Sequence, residues 1–326
     1  MNTNITILEE RKNIYSILKQ CERLCLSERE EGDRQTSAAE DRTLQLLYEI
    51  WEKVSTDLWE RGYWNDYFLC GNIVLKCAKT LQNLAITAQL LAEMGWISME
   101  WKYYKTSQAY FQEGIEKYQK INNTREQSKL IRYLGVLHYS QGKLSEALAY
   151  YQRSQEIVQA HQHLFETDVK WALQEAELHD CMGEIYLKFN NWKKSQQELS
   201  LSLEKYRLIS QKYPQYRYYQ ADPLMNLGLW HFLKGEGEQA KIYYQLCLQL
   251  CQEISRTDAM AKVLLEMAKL AEAEGDIQEA IAFADRAETI AKREHLSIRD
   301  RAACLRERLQ NDEPQGDWAI AKIKIL

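Results

Sequence analysis

Residues 134–151, LGVLHYSQGKLSEALAYY, contain the pattern that decides the fold. Gly135 is followed 12 positions later by Ala147, then after four positions by Tyr151 and after three more by Ser154. In a helical hairpin such small residues lie where the two helices cross, because only a missing side chain lets the backbones approach closely. The segment therefore predicts two packed helices.

The same spacing recurs along most of the chain, with a bulky third residue in most copies. Repetition of a hairpin pattern predicts stacked hairpins, which form a solenoid. The five copies are Gly95-Ser107-Phe111-Gly114, Gly135-Ala147-Tyr151-Ser154, Gly183-Ser195-Leu199-Ser202, Gly228-Ala240-Tyr244-Cys247 and Ala268-Ala280-Ala284-Ala287.

This pattern resembles the tetratricopeptide repeat, over residues 83–294 closely and over 39–82 loosely. The leading small residues are 40, 48, 45 and 40 positions apart, whereas the repeat is usually ~34 residues long. Longer copies predict extended helices or links. The resemblance implies an all-α, right-handed superhelical solenoid of antiparallel helical hairpins. It rests on Leu134-Gly135 with Ala147 and Tyr151, Met182-Gly183-Tyr186, Asn226-Leu227-Gly228 with Ala240 and Tyr244, and Gly275-Ala280-Ala284-Ala287.

A narrower resemblance concerns residues 61–82 and 91–96, which are similar to the repeat arrays of cyanobacterial signalling ATPases. The GxxxxGK[ST] phosphate loop of such ATPases is absent from the sequence. This likeness implies a free-standing sensor or adaptor without the ATPase.

Composition supports helices throughout. The chain has only three prolines, and helix-breaking residues stand at hairpin intervals, where turns are expected. These breakers are Gly62, Asn122-Asn123, Gly142, Asn190-Asn191, Gly235 with Gly237, and Gly275-Asp276.

We expect three regions: helices at 1–60, tetratricopeptide-like repeats at 61–294, and a capping helix with a tail at 295–326. Apolar residues at helical spacing predict two helices in the first region, separated by a polar stretch around 30–35. These helices either cap the solenoid or dock an effector. The segment 317–326 alternates apolar and polar residues, which predicts an extended tail that docks on another chain, folds into the groove or stays disordered.

Charge and hydropathy exclude several classes of protein. The first 60 residues have a net charge of −5 and the remainder is neutral, so the basic stripe of a nucleic-acid binder is missing. No apolar run is long enough for a membrane span or a signal peptide. We expect a cytoplasmic, bacterial protein whose eight cysteines are reduced.

The resemblance also implies a binding surface, because the first helix of each tetratricopeptide hairpin lines a concave groove. The aromatic candidates Trp96, Tyr133, Tyr139 and Phe232 are favoured as contacts if they are exposed, since aromatic anchors dominate binding. The candidate groove residues are Glu93, Trp96, Lys129, Arg132, Tyr133, Tyr139, Asp180, Glu184, Asn226, Phe232 and Lys269.

Catalytic patterns are absent from the sequence. His161 and His163 are separated in sequence from His179 and Cys181, and the helical pattern already explains the latter two. No nucleophile motif occurs. We therefore predict no enzyme activity, no cofactor and no metal site.

These observations favour a protein-protein interaction scaffold or adaptor that binds a peptide or helix of a partner protein in the groove. The alternative is a peptide-sensing regulator whose N-terminal helices act on an effector. A self-assembling structural component is a third hypothesis, which leaves homo-oligomers open.

Overall fold

The computed structural model describes residues 13–23, 38–60, 63–293 and 298–311, and all regular elements in these ranges are helices. Helix α1 covers residues 13–23. The chain divides into two compact units, an N-terminal unit of Met1–Ile157 and a C-terminal unit of Val158–Leu326. The remaining α-helices are α2 (Ala38–Glu60), α3 (Trp64–Thr80), α4 (Leu84–Glu100), α5 (Tyr104–Lys120), α6 (Thr124–Ser140), α7 (Leu144–Ala160), α8 (Val169–Lys188), α9 (Trp192–Lys212), α10 (Ala221–Leu233), α11 (Gly237–Glu253), α12 (Thr257–Glu274), α13 (Ile277–Arg293) and α14 (Arg299–Gln310).

The predicted crossing points are present. A β-carbon added to Gly95 would lie 2.5 Å from the ring of Phe111, and one added to Gly228 would lie 2.5 Å from the ring of Tyr244. At Gly183 the third residue of the copy, Leu199, is the neighbour at 2.7 Å. In each case the bulky residue of the second helix packs directly onto the glycine of the first.

Most turns between helices have three residues, and the middle one adopts a left-handed conformation. The backbone N–H of the third turn residue donates a hydrogen bond to the carbonyl five residues earlier. Asn83 donates to Ala78 at 3.0 Å in this way, and Arg256 donates to Cys251 at 2.9 Å. This bond is the hallmark of a Schellman-type helix end. Residues with positive φ are Gln82, Lys102, Asn122, Gly142, Asn190, Gly235, Ser255 and Gly275.

Helix length explains the long repeat. Helices α3 to α7 each have 17 residues, so a hairpin with its turns occupies more residues than the ordinary repeat. The two longest intervals contain additional 3-10 helices, Gln162–Leu164 before α8 and Pro214–Gln220 before α10. The predicted extended helices and links are thus both observed.

The N-terminal unit contains both helices expected before the repeats. Leu18 of α1 and Leu44, Leu47 and Trp51 of α2 are buried in one hydrophobic core with residues of α3 and α4. The polar stretch around 30–35 and the extended tail at 317–326 lie outside the described residues. The three-region division, including the choice between cap and docking segment, stays a prediction.

In the C-terminal unit, α14 packs on α13. Arg308 of α14 donates two hydrogen bonds to Glu272 of α12, both at 2.7 Å, and Glu272 is only 3% exposed. Consecutive helices pack against one another from α4 to α6 in the N-terminal unit and from α8 to α14 in the C-terminal unit. The predicted fold class, an all-α helical solenoid, is confirmed.

We expect Gly228→Ala to lower the free energy of unfolding by about 2 kcal/mol, because the new methyl group overlaps the Tyr244 ring. Urea denaturation followed by circular dichroism measures this loss. The control is Gly237→Ala at the start of α11, where the neighbour is the mobile carboxylate of Glu274 and alanine favours the helix. Equal effects of the two substitutions would contradict the crossing-point argument.

We expect Arg308→Met to lower the free energy of unfolding by about 3 kcal/mol, because it leaves the Glu272 carboxylate buried without its partner. The double variant Arg308→Met with Glu272→Met should recover most of the loss. Arg299→Met is the control, since the Arg299–Asp300 pair of the same helix is exposed and such pairs contribute little. A small effect of Arg308→Met in urea denaturation would show that the pair does not secure α14.

Candidate functional site

The predicted groove residues lie on the first helices of the hairpins: α4 and α6 in the N-terminal unit, and α8, α10 and α12 in the C-terminal unit. We call the surface made by these side chains the first-helix face of each unit. Most of its residues are half-buried, which is typical of side chains that contact a neighbouring helix and still reach solvent. The half-buried members are Glu93, Trp96, Lys129, Tyr133, Tyr139, Asp180, Glu184 and Lys269.

In the N-terminal unit the structure brings together four of these residues. The rings of Trp96 on α4 and Tyr133 on α6 are 4.9 Å apart. The Lys129 amine and the Arg132 guanidinium lie 5.7 and 5.0 Å from the centre of the Tyr133 ring, which is within reach of a cation-π interaction. Tyr133 is thus the centre of an aromatic and basic patch.

Glu93 lies beside this patch, and its carboxylate accepts hydrogen bonds from aromatic residues. Trp51 Nε1 and Tyr67 Oη donate to Glu93 Oε2 at 3.2 and 2.9 Å. The other oxygen, Oε1, accepts only from the Gln89 amide, at 3.5 Å. Burial raises the pKa of Glu93, and these donors and the Lys129 charge oppose that rise without cancelling it.

The sequence did not predict the aromatic surroundings of Glu93. Trp51 and Tyr67 lie on α2 and α3, in segments interpreted as a cap and a degenerate hairpin, and their hydrogen bonds to Glu93 join residues 42 and 26 positions apart. Tyr48 of α2 is also close, because the charge of Glu93 adds to the burial that raises the Tyr48 pKa. Tryptophan and tyrosine at helical spacing in residues 48–67 were the available signal, but it also fits an ordinary core.

In the C-terminal unit the face is acidic. Asn226 of α10 donates from Nδ2 to Asp180 Oδ1 of α8 at 3.0 Å. Burial raises the pKa of Asp180 well above its usual range, and the charges of Asp222, Glu184 and Glu177 raise it further. The Asn226 hydrogen bond opposes the shift.

Arg256, the residue before α12, neutralises part of this acidic face. Its guanidinium donates to Asp222 at 3.0 and 3.3 Å, to Asp258 at 3.3 Å and to the Tyr218 carbonyl at 3.0 Å. This arrangement raises the pKa of Arg256 above its already high value, chiefly through the charges of the two aspartates against the effect of burial. Arg256 was not among the predicted residues.

Three predicted residues occupy positions that differ from the expectation. Phe232 is 3% exposed and belongs to the hydrophobic core of the C-terminal unit. It fails the condition of exposure that was set for an aromatic contact. Arg132 and Asn226 are also buried, each at 8% exposure. Lys269 pairs with Glu266 at 2.5 Å.

The histidines have structural neighbours. The His161 ring stacks on Trp171 at 4.5 Å, and His179 Nδ1 lies 2.6 Å from Glu198 Oε2. Within the ranges that the structure describes, no group of three His, Cys, Asp or Glu residues is arranged to hold a metal ion. None of the described helices is both long and apolar enough to cross a membrane.

Two family models match the chain, and both are described as tetratricopeptide repeat. One matches residues 219–293 and the other residues 130–160. No curated protein sequence matches the chain.

Several solved structures share the fold. The Rap conjugation gene regulator of the plasmid pLS20, in complex with the Phr* peptide, is 14% identical with a TM-score of 0.56, covering 89% of this chain and 82% of that one. A Rap protein in complex with competence and sporulation factor is 13% identical with a TM-score of 0.55, covering 88% and 78%. A signal transduction ATPase with a tetratricopeptide repeat sensor from Pyrococcus horikoshii is 12% identical with a TM-score of 0.55; the match covers 90% of this chain but only 42% of that protein.

The class of protein that the hairpins define is the all-α helical repeat. Within that class, residues 130–160 and 219–293 match the tetratricopeptide repeat, and the helices of both segments belong to the packed array described above. This family supports a role in protein interaction. The likeness to cyanobacterial arrays stays a prediction, and the solved structures, at these identities, establish the fold alone.

We expect the replacement Asp180→Asn to stabilise the protein increasingly as pH rises. The raised pKa means that the folded state retains a proton that the unfolded state has lost, so the free energy of unfolding falls as pH rises above the unfolded pKa. Asparagine removes this dependence and can still accept from Asn226. Thermal melts of both proteins across a pH series measure the difference.

The matched control is Asp285→Asn, which changes an exposed carboxylate on α13. Its melting temperature should follow that of the original protein at every pH. If Asp180→Asn destabilised the protein equally at acidic and neutral pH, the proposed cost of ionising Asp180 in the folded state would be refuted.

Proposed function

We propose that this protein is a non-catalytic interaction scaffold or adaptor that binds a peptide or helix of a partner protein on its first-helix faces. The observation that carries the proposal is the patch around Tyr133. An aromatic pair, Trp96 and Tyr133, is half-buried next to Lys129 and Glu93 on adjacent first helices. Aromatic rings bordered by charged groups are typical of binding hot spots.

The polar residues of the faces support binding more than chemistry. Asp180 is engaged by the Asn226 amide, and Asp222 by Arg256, so these groups are positioned as hydrogen-bonding surfaces. Charges arranged in this way select partners and set register. The proposal requires neither a cofactor nor a metal ion.

The Rap structures support the proposal in a limited sense. They share the fold and were solved with a peptide and with competence and sporulation factor, which shows that helical repeats of this kind accommodate such ligands. The alternative hypothesis of a peptide-sensing regulator is not favoured, because a likeness at 13 and 14% identity does not transfer a signal or an effector.

The test places a photo-crosslinking phenylalanine analogue at position 133 in cells that express the protein. A second protein with the analogue at Tyr103, which lies in the exposed turn before α5, is the control. We expect position 133 to crosslink to a partner that position 103 does not capture. Mass spectrometry of the crosslinked peptides identifies both the partner and its bound segment.

The same partner segment is then titrated against purified variants. We expect Lys129→Glu to change the affinity at least about tenfold, because it reverses a charge within the patch. Lys105→Glu, the same change on the exposed side of α5, should leave affinity nearly unchanged. Equal capture from both positions, or equal affinity of both variants, would refute binding at the first-helix face.

A further inference from the structure

The Glu93 side chain is half-buried, and among the residues that the structure describes no cation donates a hydrogen bond to its carboxylate. Its three donors are an indole, a phenol and an amide, from Trp51, Tyr67 and Gln89. Burying a carboxylate is unfavourable unless it is paired, and the raised pKa of Glu93 expresses this penalty. The surroundings of Glu93 therefore lack the positive charge that would fully stabilise its carboxylate.

Charged and titratable groups reach Glu93 from the helices around it. Lys129 is the basic group among them, and its amine lies 3.6 Å from Glu126 Oε2, so it has an ion-pair partner on its own helix. The other groups are hydroxyls with raised pKa values, which stay neutral at physiological pH. They are Tyr48 on α2, Tyr67 on α3 and Tyr118 on α5.

The two oxygens of Glu93 differ in a way that indicates where a ligand would bind. Oε2 accepts two hydrogen bonds from aromatic donors, which fix the orientation of the carboxylate. Oε1 accepts only the 3.5 Å contact from Gln89, an exposed side chain. A charged donor at Oε1 would complete the coordination of the carboxylate without breaking the bonds to Oε2.

We propose that Glu93 binds the side chain of a lysine or arginine of the partner peptide, with Trp51 and Tyr67 holding the carboxylate toward it. This inference rests on the proposed function and names the chemistry of the partner at one position of the N-terminal first-helix face. Charge complementarity favours a basic side chain, since it supplies the positive charge that the hydrogen-bonded surroundings of Glu93 lack. The adjacent rings of Trp96 and Tyr133 provide an apolar border for its aliphatic stem.

The test selects binders from a random peptide library displayed on phage, with the intact chain as bait. We expect selected peptides to share a lysine or arginine at one aligned position. Glu93→Gln as bait should lose this enrichment, because glutamine retains an acceptor for Trp51 and Tyr67 but carries no charge. The matched bait Glu116→Gln, which changes an exposed carboxylate on α5, should preserve it.

Fluorescence polarisation then measures one selected peptide in a double-mutant cycle. Glu93→Gln, and replacement of the basic peptide residue by norleucine or citrulline, should each weaken binding at least about tenfold. Together they should weaken it little more than either alone, because both remove the same interaction. Glu93→Gln should melt no lower than the original protein at neutral pH, so that lost binding does not reflect unfolding.

The pH dependence of binding provides a further readout. Because burial raises the pKa of Glu93 and a cation binds the charged form of the carboxyl group more tightly, affinity should increase as pH rises through that raised pKa. Glu93→Gln should remove that increase.

The outcomes separate this inference from the function on which it rests. Peptides that bind without a basic residue, or bind Glu93→Gln as tightly, would overturn the inference. If Lys129→Glu still changed their affinity, the first-helix face would remain the binding site. Failure to select any peptide, or binding insensitive to both Glu93→Gln and Lys129→Glu, would count against both proposals.

Discussion

The contact between a small residue on one helix and a bulky residue on the next determines the rest of this structure. Phe111 against Gly95 and Tyr244 against Gly228 fill the space that a side chain would otherwise occupy. Each contact fixes both the distance and the rotation of its hairpin. Once the rotation of the first helix is fixed, the side on which each of its other side chains lies is fixed as well.

This constraint explains why the first-helix faces vary while the hairpins do not. The position two residues before each leading small residue is Glu93, Tyr133, Cys181, Asn226 and Glu266 in the five copies. Close packing constrains side-chain size only at the crossing residue itself. The position two residues before it therefore accepts carboxylate, phenol, thiol and amide groups. The repeat therefore preserves a scaffold and leaves the chemistry of its surface free to differ.

The sequence predicted the hairpins because glycine, alanine and serine at a fixed spacing have one common physical cause. It did not predict three of the turns, at Gln82, Lys102 and Ser255, since these residues have no preference for the left-handed conformation that they adopt. At these positions the packed helices on either side impose the turn. The sequence indicated the two 3-10 helices only as additional residues in the longer repeat intervals.

The candidate site was predicted less completely than the fold. Helical spacing placed Glu93, Lys129 and Tyr133 on first helices, but it could not distinguish Phe232, four residues after Gly228, from a surface aromatic. Nor could it identify Trp51 and Tyr67 as donors to Glu93, because those contacts depend on how separate hairpins stack. Periodicity gives the face of a helix, whereas the partners of a side chain depend on the tertiary structure.

The buried carboxylates divide into two groups with different consequences. Glu272 and Glu288 receive hydrogen bonds from Arg308 and Arg306, so their charges are compensated within the chain and stabilise the position of α14. Within the described part of the chain, Glu93 and Asp180 receive hydrogen bonds only from neutral donors, and burial raises the pKa of both. A protein gains no stability from a buried charge without a counter-charge. Glu93 and Asp180 both lie on first helices, so their cost to stability falls on the face that we propose to bind a partner.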